Sequence, residues 1–136
     1  MTVTDAPQPA LYARIVAESL TPLGWFAALP QDGLPRDAKS VVLIGNAGPA
    51  MFQRFARERD PVRDSLDDWT REIVDRLAFS LGAGAVYPFG TPTYPFLQWA
   101  QRAGAGHASP LGLNIHPVLG LWHAYRAALI VPTVLD

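Results

Sequence analysis

Between positions 61 and 81 the apolar residues Val62, Leu66, Trp69, Ile73, Leu77 and Leu81 recur every three or four positions, and charges fill most of the gaps. That spacing lines one face of a helix, so it predicts a helix from about Pro61 to Leu81, dry along one stripe and wet along the other. Asp67 with Arg71, and Glu72 with Arg76, place acid before base at i,i+4 on the wet side. Gly82-Ala83-Gly84 stops the helix. Ser40 to Gly45 shows the opposite pattern, an apolar, β-branched run without alternation. It predicts a strand covered on both faces, hence central in a sheet. Asn46-Ala47-Gly48-Pro49 then opens a helix reaching about Arg57, with Pro49 suited to its first turn.

Shorter patterns complete the chain. Met1 to Pro9 is polar and proline-containing and reads as a loose arm, leaving 10–136 as a single domain. Leu11, Ile15, Val16 and Leu20 predict a helix from Ala10 to Leu20, stopped by Thr21-Pro22. Gly24 to Leu29 fits a short strand and Pro30 to Pro35 a turn. Ala85 to Tyr87 fits another strand, Pro88 to Pro95 a loop, and Phe96 to Arg102 a short helix. Leu111 to His116 and Leu121 to Val131 are expected to pair as a hairpin around Pro117 to Gly120. The order predicts an α+β domain, helices packed on a largely antiparallel sheet.

The chain has 136 residues, nearly half of them apolar, which suffices for one real core. Twelve acidic and eleven basic residues leave a net charge near −1, with no basic stripe, so no nucleic-acid partner is expected. No window is apolar enough for a spanning helix and the start lacks the build of a signal peptide; a soluble cytoplasmic protein without a membrane partner is expected. Cysteine is absent. That removes disulfides, thiolate nucleophiles, thiolate zinc sites and a cysteine-held iron–sulfur cluster.

Among candidate sites, Gly45 to Gly48 joins a strand to a helix, where phosphate can bind, but it lacks both the dinucleotide and the P-loop spacing; a plain turn is the simpler reading. His107, His116 and His123 are spaced by nine and seven, which suits no standard metal site, so no metal is expected. Asp64, Asp67, Asp68, Glu72 and Asp75 read as a solvated helix face. The aromatics Tyr87, Phe89, Tyr94, Phe96, Trp99, Trp122 and Tyr125 accompany the polar Gln98, Gln101, Arg102, His116 and Arg126. Two readings stand open: an apolar pocket with a few polar groups, as cofactor sites are built, or the core of a small domain. Arg126 is the sharpest case. It precedes Ala-Ala-Leu-Ile-Val on a strand, so it either reaches water by a short route or faces an anionic partner, because an unpaired buried guanidinium is costly.

Gly24 to Pro30, Gly48 to Arg54, Asp60 to Val62, and Ile115-His116-Pro117 with Gly120, Trp122 and Arg126 stand in that order along the chain, and from Gly24 to Pro132 the segments resemble, in the same order, those of the CblC family of cobalamin-processing proteins. Gly24-Trp25-Phe26-Ala27-Ala28-Leu29-Pro30 resembles its Gly-Trp-Tyr-x-x-x-Leu-Pro, one residue shorter. Gly48-Pro49-Ala50-Met51-Phe52-Gln53-Arg54 resembles its Thr-Pro-Ala-Met-Phe-Asp-Arg, and Asp60-Pro61-Val62 its Asp-Pro-Val. Ile115-His116-Pro117 with Gly120, Trp122 and Arg126 resembles Ile-His-Pro-x-x-Gly-Gly-Trp-x-x-x-Arg, with Leu121 in place of the second glycine. Ser109 to Gly112 and Gly120 to Trp122 are also similar to the cobalamin-binding part of epoxyqueuosine reductase and related ferredoxin-like proteins, without their cluster cysteines.

The resemblance implies a flavin-nitroreductase-like α+β fold, truncated relative to CblC, with a cavity that takes cobalamin base-off. It implies cobalamin (corrinoid) binding and trafficking, with thiol-dependent removal of the upper ligand as an associated dealkylase or decyanase activity. The expected catalytic residue is Arg126, holding glutathione as co-substrate. The expected cofactor-binding residues are His116, Gly120, Trp122, Tyr125, Trp99, Gln101 and Leu113. A cobalamin-dependent enzyme or reductase would be the macromolecular partner, and a homodimer the assembly. Two alternatives remain: a flavin-dependent reductase holding FMN or FAD among Trp99, Trp122 and Tyr125, and a cofactor-free interaction subunit.

Overall fold

The computed structural model describes residues 8–35, 37–62, 65–104, 107–108, 114–115 and 124–135. In chain order the elements are α1 (Gln8–Ala17), β1 (Thr21–Ala27), a 3-10 turn (Pro30–Asp32), β2 (Ser40–Asn46), α2 (Ala50–Glu58), α3 (Leu66–Leu81), β3 (Gly84–Val86), α4 (Phe96–Arg102), β4 (His107–Ala108), β5 (Asn114–Ile115) and β6 (Ala124–Val131). It is an α+β arrangement. One sheet has the order β1-β2-β6-β3, all antiparallel, and β4 pairs with β5 in a separate two-stranded piece.

β2 lies inside the sheet because nothing along it needs water. From Ser40 to Gly45 every residue is buried, and successive side chains enter opposite cores. Val42 and Ile44 pack with Ala127, Leu129 and Val131 against α1 and α3. Val41 and Leu43 pack with Ala128 and Ile130 against Phe96 and Trp99 of α4. At roughly 1.5–3 kcal/mol per fully buried large apolar side chain, these two layers supply most of the drive to fold.

Three expectations are corrected. The long helix starts at Leu66, not near Pro61: Ser65 caps it, its hydroxyl accepting from the Asp68 N–H at 3.1 Å, and Val62 stands almost fully exposed before it. A side-chain cap of this kind is worth about 1 kcal/mol, more than the apolar spacing of Val62 could offset. The expected hairpin is not formed among the described residues. β5 pairs with β4, whereas β6 lies between β2 and β3. Finally, α1 begins at Gln8 and ends at Ala17, so the end of the expected arm is helical and Thr21-Pro22 opens β1.

No helix among the described residues is long and apolar enough to cross a membrane.

Candidate functional site

The site is built where β2, β6 and β1 all depart from regular pairing. On β6, Ala127 is opposite Ile44 and Tyr125 is opposite Gly45, so Arg126 is an extra residue, a β-bulge. At the same level Pro22 pairs with Ile44 and Gly24 with Leu43, leaving Leu23 extra on β1. Gly45 sits between the two irregularities. A Cβ there would lie 1.9 Å from the Ala124 carbonyl oxygen and 2.5 Å from Leu23 Cδ1, so only glycine fits. Bulges re-aim side chains, and this one brings Arg126 to the end of the sheet beside α2.

Arg126 is half-buried. Its Nε–H donates to Oδ1 of Asn46, the last residue of β2, at 2.8 Å, and its guanidinium carbon stands 5.7 Å from the Phe52 ring centre on α2. Both contacts are uncharged, and the two terminal nitrogens have no partner among the described residues. A guanidinium held at Nε and stacked on a ring has lost rotamer freedom before any ligand arrives. Its terminal nitrogens, unpartnered among the described residues, keep the geometry that a carboxylate or phosphate accepts bidentately. Of the alternatives set out for this residue, the described residues show a guanidinium at the sheet end, held by an amide and a ring and not by a carboxylate.

The turn after Asn46 is tied to β1. The Ala47 N–H donates to Thr21 Oγ1 at 3.3 Å, and Pro49 at the helix start has no N–H to offer an anion.

No protein family matches the chain, and no curated protein matches it.

The remaining site residues are therefore placed by geometry alone. Tyr125 is half-buried and packs against the α4-side core. Trp99 belongs to that core: it is fully buried, its Nε1–H donates to the Asp32 carbonyl at 2.6 Å, and Phe96 and Tyr94 rings lie 5.1 and 5.7 Å away. Its ring is enclosed by this core. Indole packs best where its one donor finds a carbonyl, and here the 3-10 turn supplies one. Gln101 is exposed on α4. Leu113, His116, Gly120 and Trp122 lie outside the described residues, as does His123.

Among the described residues no group of three or more His, Cys, Asp or Glu could hold a metal. Asp75 is not simply solvated, since it accepts the Tyr87 hydroxyl, which also lies 3.1 Å from the Arg71 carbonyl. Burial and that hydrogen bond push the Tyr87 phenol well above its ordinary range. Sequence reasoning missed Asn46 and Phe52 as partners of Arg126. The position of Asn46 at the end of a largely apolar strand was a usable signal, whereas Phe52 stood in the segment from Gly48 to Arg54 with nothing to tie it to Arg126.

Proposed function

We propose that the chain binds a corrinoid base-off, as a carrier that also positions a thiol for removal of the upper ligand. The observation that carries this reading is Arg126 held by Asn46 and Phe52 without a carboxylate partner among the described residues, at the residue that matches the family's thiol-holding arginine. The ordered segments from Gly24 to Pro132 support it from the sequence side, and the antiparallel sheet with flanking helices is the architecture that a nitroreductase-like fold would have.

In this reading the carboxylate of glutathione or a similar thiol accepts two N–H groups from Arg126. A bound corrinoid would supply an upper alkyl group open to thiolate attack, and Arg126 would hold the thiol donor beside it. The corrin supplies the reducible metal. Arg126 orients the nucleophile, and a half-buried setting strengthens the contact beyond its value in water. His116, Gly120, Trp122 and Tyr125 are the proposed corrin-facing residues, with Leu113 and Gln101 at its margin. A flavin stacked on Trp99 is the weaker alternative because that ring is enclosed.

The test is retention. Purified protein is mixed with hydroxocobalamin and passed over a desalting column; coelution near one equivalent supports the reading, and colourless protein overturns it. Yellow protein as purified would favour the flavin alternative.

A further inference from the structure

Three helices each send an arginine into one cleft of about 260 Å3, Arg14 from α1, Arg54 from α2 and Arg76 from α3. Their roles differ. Arg54 is the frame: its Nη1–H donates to Glu18 Oε2 at 2.8 Å and to the Glu18 carbonyl at 2.7 Å, and its Nε–H to both oxygens of Glu58 at 2.9 Å. Its guanidinium also rests 5.8 Å from the Trp69 ring centre. Glu18 and Glu58 are thereby spent on Arg54.

Among the described residues neither Arg14 nor Arg76 forms an ion pair; the Glu18 carboxylate also lines the cleft but is held by Arg54. Arg14 Nη2–H donates to Ser80 Oγ at 3.1 Å across the α1–α3 seam, and the Ser80 hydroxyl donates onward to the Leu77 carbonyl at 2.7 Å. Arg76 makes no ion pair or hydrogen bond among the described residues, and the expected i,i+4 pair with Glu72 is not formed. Two guanidinium groups on one cleft repel each other unless an anion lies between them. Beneath them Ile73 and Leu77 form a buried apolar floor.

We propose that this cleft binds a small phosphomonoester, its dianion bridging Arg14 and Arg76 and its carbon portion resting over Ile73 and Leu77. A monocarboxylate would satisfy only one of the two forks, whereas three phosphate oxygens can accept from both. The site shares no residue with that of Arg126, so either assignment can fail without the other. The same headgroup chemistry could be carried by a free metabolite or by a lipid.

The test is calorimetric titration of the whole chain with phenyl phosphate at fixed ionic strength, beside phosphatidylcholine vesicles with and without phosphatidic acid. Saturable binding of phenyl phosphate is expected, weakened at least about tenfold in the Arg14→Gln, Arg76→Gln double variant and unchanged in Arg57→Gln. Binding confined to phosphatidic-acid vesicles, and lost in the double variant, would support the site with a lipid as its source. Heat no greater than that of added chloride in both formats, or equal affinity in wild type and a folded double variant, would overturn it.

Discussion

The Nε–H of Arg126 is donated to Oδ1 of Asn46 at 2.8 Å, joining the start of β6 to the end of β2 across eighty positions of sequence. An amide acceptor orients the guanidinium and leaves its charge in place. Asn46→Asp should therefore hold the fold, with a change within about 1 kcal/mol, yet slow any thiol-dependent reaction by supplying a competing carboxylate. Asn46→Ala should cost about 1 kcal/mol and loosen the fork. Thermal melts and glutathione-dependent rates measured side by side would check both; an Asn46→Asp variant that reacts like wild type would contradict the orienting role.

Gly45 carries the crossing of β2 past Ala124. Gly45→Ala should destabilise the chain by about 3 kcal/mol or more, because the new methyl group meets a backbone oxygen that cannot swing away. Urea unfolding measures this. A loss below about 1 kcal/mol would mean that the bulge relaxes easily.

Asp32 is nearly enclosed and joins two elements. Its carboxylate accepts the Leu29 N–H at 2.7 Å and Arg102 Nε–H at 2.9 Å, while its carbonyl takes the Trp99 indole. Arg102→Leu would leave that carboxylate without its cation, and a loss of about 2 kcal/mol is expected, below the range for fully buried pairs because Arg102 is partly exposed. The Trp99 fluorescence maximum would move to the red if α4 loosens, and an unmoved maximum with unchanged stability would contradict the clamp.

Tyr87 makes stability depend on alkaline pH. Its phenol is held protonated by burial first and by the Asp75 hydrogen bond second, so the folded state keeps a proton that the unfolded chain releases above about pH 10. The stabilisation is complete below that pH and is lost as pH rises toward the folded-state value. Unfolding free energies from pH 8 to 11 should fall for the wild type and fall less steeply for Tyr87→Phe; parallel curves would refute this origin.

Local pattern and burial were legible in the sequence where one residue's neighbours decide its state. β2 could be read as central because six consecutive positions demand dry surroundings, and Gly82 as a helix end because its φ of 69° suits glycine. The partner of β6 was not legible. Adjacency in sequence favours a hairpin with Asn114–Ile115, but β2 offers a ladder of seven paired residues with an apolar centre and β3 covers the other edge. Trp99 illustrates the same limit, since whether an aromatic ring meets a ligand or a core depends on a carbonyl sixty-seven residues away. Arg126 was identifiable as the residue to watch, while the bulge that aims it follows from register alone.

The visible spectrum of cobalamin in the presence of the chain tests the central proposal most directly. Titration of methylcobalamin and hydroxocobalamin with protein should move the long-wavelength band to the base-off position and saturate near one equivalent. Arg126→Ala should keep that shift while slowing glutathione-dependent loss of the methyl group by at least about tenfold, the usual scale for one lost charged contact. A spectrum identical to that of free cobalamin at every protein concentration would contradict the account.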